Sequence, residues 1–368
     1  MTTDAAPPPY PTTPETLRPE WLVGVLRRHH ADVPDIRGFD TAQIGTGQVG
    51  RCIRYTIDYS SEPPPVVPRA VVGKFASDNA ESREAGKAGG CYVLEVGFYR
   101  DLQATVGIRT PRCYFAAIGD GADPEVDHAL ILEDMAPAAQ GDQISGCTVD
   151  QAAAALEEAA RLHAPRWSDS SLQSISWLRG AGSEPPDVAS IYELILPAFE
   201  QRYDGRLDDA TLGIARDLAP ALAGLIAEAD GPRTIVHGDY RIDNMLFGDG
   251  RSAPAVSVVD WQTVSLGIGA SDAAYFVGAG LTTELRREHE RRLVEEYHAS
   301  LVAGGVTGYD WEACWRDYRR GTVSGLIMAV VASMMVGATE RGDEMFMTMA
   351  RRHAAHAIDL NAREFFPS

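Results

Sequence analysis

The sequence predicts a two-lobed α+β fold, with a small β-rich N-lobe and a larger, mainly helical C-lobe. Three observations carry this reading. Strand-like runs that alternate polar and apolar residues or are short and apolar fill the first third of the chain. Helical periodicity dominates from Val149 onward, as in VDQAAAALEEAARLHAP. The helical part is interrupted by TIVHGDYRIDNMLFG and then APAVSVVDW, a short strand pair around a polar loop. Strands first and helices after, rather than regular alternation, argue for two lobes. The expected divisions are a mobile tail over 1–19, rich in proline and threonine, an N-lobe over 20–134 and a C-lobe over 135–368. The two lobes join near Glu133 to Ala136.

Each element follows from local pattern. Pro19 to Ala31 (PEWLVGVLRRHHA) reads as a helix with Leu22, Val23, Val25 and Leu26 on one side. Between Phe39 and Phe75, Cys52, Arg54, Thr56 and Asp58 alternate with Ile53, Tyr55 and Ile57, the period of a strand. SSEPPPVVP is a turn and AVVGKF a short apolar strand. Glu84 to Gln103 reads as a helix through Val93, Val96, Phe98 and Leu102. RCYFAAI and HALILEDM are strands about the turn-forming GDGADPEV. Helices are then expected at 149–165, 189–203 and 208–229 and from Leu281 to the end. The most apolar stretch, Gly325 to Ala338, falls short of the roughly 20 residues a bilayer span needs, so it is expected to be a buried helix.

Composition limits the function classes. Hydrophobic residues at 45% and charged residues at 23% are those of an ordinary globular chain. A net charge of −19 speaks against a surface that binds nucleic acid, which needs a basic footprint. The acidity suits a cationic substrate or serves solubility. Cys52, Cys91, Cys113, Cys147 and Cys314 form no CxxC pair and no metal-ligand spacing, which suggests reduced thiols in a cytoplasmic protein. The first twenty residues lack the features of a signal peptide. Lys74 and Lys87 are the only lysines in a chain that otherwise uses arginine. A lysine in the apolar strand AVVGKF therefore asks for a specific role, since its compact ammonium is not replaced by a guanidinium fork.

Ile44 to Gly50, IGTGQVG, places Gly45, Gly47 and Gly50 in G-x-G-x-x-G spacing. A strand pattern follows rather than the helix that a dinucleotide-binding turn requires. The glycines thus fit either an ordinary tight turn or a hairpin whose backbone covers phosphates, with Lys74 on a strand shortly after. No GxxxxGK[ST] pattern is present. Glu95 falls on the apolar side of its helix, where a carboxylate needs a partner such as Lys74; a solvent-facing glutamate is the alternative. Asp239 and Asn244 stand five residues apart, the spacing of the loop pattern H-R-D-x-x-x-x-N, in which a carboxylate orients an attacking hydroxyl and an amide oxygen holds magnesium. Sixteen residues on, Asp260 ends the apolar strand VSVVDWQ, suited to a second magnesium ligand or to capping the strand. His237 is expected to brace the loop, and Asp243 has no evident role.

With HGDYRIDN followed by VVDWQ, the chain resembles the aminoglycoside phosphotransferase and choline kinase branch of the protein-kinase-like fold, from about Thr41 to Asp272. HGDYRIDNMLF with DWQ looks closer to the ecdysteroid-kinase-like and acyl-CoA-dehydrogenase-associated phosphotransferases. The resemblance implies a bilobal protein-kinase-like fold, ATP and Mg2+ as cofactors, and a small hydroxylated molecule as acceptor. It gives Asp239 the part of catalytic base and Asn244 and Asp260 that of magnesium ligands. Lys74 becomes the α/β-phosphate lysine and Glu95 its ion-pair partner. ILEDM, with Glu133 and Met135, becomes the hinge whose backbone pairs with adenine, and Asp272 the aspartate that braces the catalytic loop. Arg241 departs from the lysine or histidine usual there; it contacts the transferred phosphate or faces outward. Only twelve residues separate Asp260 from Asp272, too few for a phosphorylatable activation loop. The expected activity is phosphoryl transfer to a small-molecule hydroxyl. A catalytically silent nucleotide-binding relative and an aminoglycoside-resistance kinase are the rivals. Met328, Met334, Met335, Met345, Met347 and Met349 suit either core packing or an apolar acceptor pocket.

Overall fold

The structure is a computed structural model that describes residues 10–45, 49–120, 122–181, 187–251 and 253–367. The chain divides into two compact units. The first holds the residues up to Ala104, Thr110–Ala136 and Asp260–Thr263; the second holds Thr105–Arg109, Pro137–Val259 and the residues from Val264 on.

The first unit is built on one antiparallel sheet of β1 (Ile36–Ile44), β2 (Gly50–Tyr59), β3 (Ala70–Ala76), β4 (Cys113–Ile118) and β5 (His128–Glu133), in the order β1-β2-β3-β5-β4. The period-2 pattern of β2 buries Ile53, Tyr55, Ile57 and Tyr59. These join Val71, Phe75 and the apolar side of α1 (Pro19–Leu26) in one core. α1 stops at Leu26, five residues before the expected end. There Arg28 N donates to Val25 O, and the Arg27 guanidinium caps Val33 O. Tyr10 and Leu17 are buried in this core and Tyr10 donates to Asp127 O, so the expected tail is packed from residue 10 on. Residues 1–9 lie outside the described residues.

The helix expected over 84–103 is two helices. α2 (Ala80–Ala88) starts earlier, at an Asn79 cap that accepts from Ser82 N, and it breaks at Gly89 and Gly90. Gly90, at φ +64°, takes a backbone turn that a Cβ would strain, and α3 (Cys91–Gly97) follows before one wide π turn at Phe98–Leu102. Apolar periodicity continued across the break, while the two adjacent glycines ended the helix.

The second unit is mainly helical: α4 (Val149–His163), α5 (Val188–Arg202), α6 (Asp209–Ala227), α7 (Gly269–Gly280), α8 (Thr283–Ala303), α9 (Trp311–Gly321), α10 (Ser324–Met335) and α11 (Glu340–Asp359). Short strands carry its polar loops. β7 (Arg233–Val236) pairs with β10 (Ser265–Ile268), and β6 (Ala139–Gln140), β8 (Met245–Phe247) and β9 (Val256–Val258) form a second small sheet. Tyr192, Phe199, Leu218, Leu222, Leu326 and Phe346 belong to the core of this unit. Met345, Met347 and Met349 lie in that core, whereas Met335 is 58% exposed. α10 ends at Met335 rather than Ala338 because Val336 turns extended. Among the described residues, α6 is the one helix long and apolar enough to cross a membrane. Its Ile214, Leu218 and Leu222 are buried in the core.

Candidate active site

In the second unit, β7 delivers His237, Gly238 and Asp239 to the start of a loop. Gly238 adopts φ +81°, a turn that a side chain would strain. Asp272 takes the two backbone amides at this turn: His237 N donates to its Oδ2 at 2.6 Å and Gly238 N to its Oδ1 at 3.0 Å. Asp272 lies in the first turn of α7, where the helix dipole favours a carboxylate. His237 Nδ1 accepts from Asp239 N at 3.3 Å, which leaves Nε2 to donate to Val259 O at 3.0 Å. The imidazole is thus spent on backbone groups, as expected of a brace.

The Asp239 carboxylate receives three side-chain donors. Tyr275 OH donates to Oδ1 at 2.7 Å, while Arg241 Nε at 3.0 Å and Asn244 Nδ2 at 2.9 Å both donate to Oδ2. Burial pushes its pKa up, but the Arg241 charge and the Tyr275 and Arg241 hydrogen bonds outweigh it, and the carboxyl lies below its ordinary value. Asp239 therefore stays ionised. Tyr275 escaped the sequence reading, although GASDAAYF places it three residues after Asp272, a spacing that puts both on neighbouring positions of one helix face.

Arg241 does not face outward. Its side chain is 20% exposed and bridges Asp239 to Asp243, with Nη1 donating to Asp243 Oδ2 at 3.0 Å and approaching Met345 Sδ at 3.3 Å. Asp243, which the sequence left without a role, also accepts from Gln143 N at 2.8 Å through Oδ1. Gln143 in turn accepts from Ile242 N at 3.0 Å and donates to Ala279 O at 2.9 Å. Asn244 closes the loop: its Nδ2 also holds Asp239 O at 2.9 Å and its carbonyl accepts from Val259 N at 2.9 Å.

In the first unit, Lys74 on β3 is 8% exposed, with Nζ 2.7 Å from both Glu95 Oε1 and Asp260 Oδ1. Burial alone would discharge it, yet the two carboxylates raise its pKa well above the ordinary value. Glu95 on α3 is 1% exposed, so its carboxylate is the buried partner expected of it rather than a solvent-facing group; burial pushes its pKa up against the opposing Lys74 charge. Asp260 stands at φ +68° with a side chain 33% exposed. Trp261 stacks on Phe98, centroids 3.6 Å apart, and its Nε1 donates to Thr110 Oγ1 at 3.1 Å. That packing anchors the segment that carries Asp260.

Gly45, at φ +72°, follows the end of β1, and Gly50 opens β2, where a Cβ would lie 3.3 Å from Lys74 Cε. Gly47 lies outside the described residues. Gly45 and Gly50 border the connection between two paired antiparallel strands, which rules out a dinucleotide turn with its following helix and fits both a tight turn and a hairpin that covers phosphates. At the expected hinge, Glu133 ends β5 with its N donating to Arg112 O at 2.8 Å, and Met135 is buried. Asp134 between them pairs with Arg54 at 2.8 Å.

The chain has the fold of a choline kinase from Cryptosporidium parvum Iowa II, with a TM-score of 0.58 at 10% identity over 95% of this chain and 98% of that one. A microcompartment-associated aminopropanol kinase gives 0.53 at 13% identity over 94% and 99%. The GDP complex of aminoglycoside 2'-phosphotransferase-IIIa gives 0.50 at 13% over 92% and 99%. At these identities the likeness is one of fold, that of the protein-kinase-like phosphotransferases. No curated protein matches the sequence significantly. Residues 216–304, which span the HGD loop, Asp260 and α7, match the sequence profile of the ecdysteroid kinase-like family.

Proposed function

We propose that the chain is a Mg·ATP-dependent phosphotransferase that moves the γ-phosphate to a hydroxyl of a small molecule. The observation that carries this reading is the Asp239 carboxylate, held ionised by three donors in a loop braced by Asp272. Such a group accepts a hydrogen bond from an alcohol and orients it for in-line attack. The acceptor oxygen forms a bond to Pγ, the bond from Pγ to the bridging oxygen of ADP breaks, and the hydroxyl proton passes to Asp239. Arg241 keeps that carboxylate charged before transfer.

The residues present fit a nucleotide and a hard cation. Lys74, held between two carboxylates, supplies a fixed positive charge for the α- and β-phosphates, and the backbone near Gly45 and Gly50 supplies amides. Asn244 and Asp260 supply oxygen ligands of the kind magnesium takes. Among the described residues no three His, Cys, Asp or Glu side chains gather to hold a metal unaided. Magnesium in phosphotransfer needs only one or two protein ligands beside phosphate and water. When bound, it neutralises charge on the phosphate oxygens. Glu133 and Met135 offer backbone groups to the adenine. The protein works in the cytoplasm on this reading.

The test is Mg-dependent consumption of ATP, and of GTP in parallel, across a panel of small alcohols that includes amino alcohols, aminoglycosides and sterols. Wild-type transfer should depend on magnesium, and D239N should lower it by about 10²–10⁴-fold with nucleotide affinity kept. Absence of transfer to every acceptor, or full activity in D239N, would overturn the reading.

A further inference from the structure

We propose that Tyr275 is a positioning residue for phosphoryl transfer, one that fixes the plane of the Asp239 carboxylate so that a single Oδ1 lone pair is left for the acceptor hydroxyl. This rests on the phosphotransferase reading above and adds to it a residue that the HGD and DWQ motifs do not contain.

The argument starts from how the donors are shared. Arg241 Nε and Asn244 Nδ2 both donate to Oδ2, so the loop's own side chains restrain the carboxylate torsion through one oxygen only. A terminal sp3–sp2 torsion such as χ2 of aspartate has a broad profile and offers little resistance. Tyr275 OH, at 2.7 Å, donates to Oδ1 and restrains the same torsion from the opposite oxygen, so the plane is held at both ends. A carboxylate offers about four lone-pair sites. With three occupied, Oδ1 keeps one.

Tyr275 itself has nowhere to go. It is 3% exposed on α7, the helix whose Asp272 holds the amides of His237 and Gly238 immediately before Asp239. One helix therefore sets both the backbone ahead of the catalytic carboxylate and the carboxylate plane. Behind the phenol ring lies the His353 imidazole of α11, centroids 5.2 Å apart. It fits there because Gly278 and Gly325 carry no side chains: a Cβ on Gly278 would lie 2.6 Å from His353 Nδ1, and one on Gly325 would overlap the ring. His353 is fully buried, and burial holds it neutral, so it presents an uncharged ring, tilted 39° to the phenol, rather than a charge. The charged groups that face Tyr275 are Asp239, Arg241 and Asp243. Burial and the Asp239 charge push the phenol pKa well up, which keeps the hydroxyl a donor.

The experiment uses the full chain and first establishes wild-type transfer to an acceptor. Y275F should then lower kcat by about 10- to 100-fold, the weight of one hydrogen bond to a charged group, with KM for nucleotide and acceptor within about twofold. 4-Aminophenylalanine at position 275, which restores a donor on the same ring, should recover most of the rate. 4-Fluorophenylalanine, which fills the same volume without a donor, should not, and this pair decides the matter even if Y275F folds poorly. Crystals of Y275F should show the Asp239 carboxylate rotated or split between orientations, a readout independent of turnover. Equal kcat in the amino and fluoro variants, or an unmoved Asp239, would overturn the proposal. A wild-type chain without transfer would instead count against the phosphotransferase reading, with the Asp239 orientation still testing Tyr275.

Discussion

Arg241 and Asp243 form an ion pair inside the candidate catalytic loop, with Nη1 3.0 Å from Oδ2 and both side chains mostly buried. The same guanidinium reaches Asp239 through Nε, so Asp243 acts on the reactive carboxylate at one remove. The guanidinium does so with two separate nitrogens in one plane, Nε toward Asp239 and Nη1 toward Asp243, which fixes the two carboxylates relative to each other. D243A should lower kcat about tenfold while nucleotide affinity changes less than about twofold. Adding R241A should cost little more, since residues in one network lose energy together rather than additively. Steady-state kinetics on the two single variants and the double variant check this. Fully additive losses would show that Asp243 and Arg241 act separately.

Lys74 carries a different prediction, because its two carboxylate partners are unequally buried. In K74M, Glu95 keeps its place at 1% exposure without a cation, so its pKa rises further. A carboxyl whose folded pKa exceeds its unfolded value costs stability as pH rises, because the folded state then holds a proton that the unfolded state has released. The melting-temperature gap between K74M and wild type should therefore be wide at pH 8 and narrow at pH 5. Nucleotide affinity should fall at least about tenfold, the loss of one charge-assisted contact. A gap independent of pH would mean that the Glu95 pairing is not what the substitution disturbs.

The residues readable in the sequence are those whose partners lie at fixed spacing along the chain. Asp239 and Asn244 share one loop, and Asp260 closes the next strand; no through-space knowledge is needed to connect them. Lys74 and Glu95 were legible for another reason: each places a charge in apolar surroundings, which demands a partner. Gln143 was not legible, because it lies a hundred residues from Asp243 and only β6–β8 pairing brings its segment to the loop. Tyr275 stands on α7, which lies outside the helices expected from the pattern (these resume only at Leu281), so nothing marked its phenol as a partner of Asp239. The break at Gly89 and Gly90 was visible as residues and outweighed by apolar spacing. Packing of Tyr10 and Leu17 depends on a groove that composition does not describe.

Gly141 tests how closely the loop must be approached from the β6 side. A Cβ there would overlap the Ile242 side chain and lie 2.7 Å from Ile242 O, in the segment that separates Arg241 from Asp243. Neither contact is the end of a flexible chain, so backbone must move. G141A should lower kcat by about tenfold or more and cost about 1–3 kcal/mol of stability, the usual range for overpacking. Denaturant titration and turnover read the two effects. A G141A chain with wild-type turnover would show that the catalytic loop tolerates a shift at Ile242.

His128 sets an acid limit on the first unit. Its ring is fully buried, with Nδ1 2.8 Å from Val126 O and the ring face stacked on Tyr92 at 4.7 Å. Burial pushes its pKa down to about 4 from an ordinary value of 6.5. The sign follows from linkage. Between these values the unfolded chain binds a proton that the folded chain does not, so stability present above pH 6.5 is lost as pH falls toward 4. One such group is worth up to about 3 kcal/mol over that window. H128F removes the titration and keeps a ring against Tyr92. Its stability, followed by denaturant unfolding at steps from pH 7 to pH 4, should fall less steeply than that of wild type. Parallel curves for the two proteins would show that His128 does not govern the acid limb.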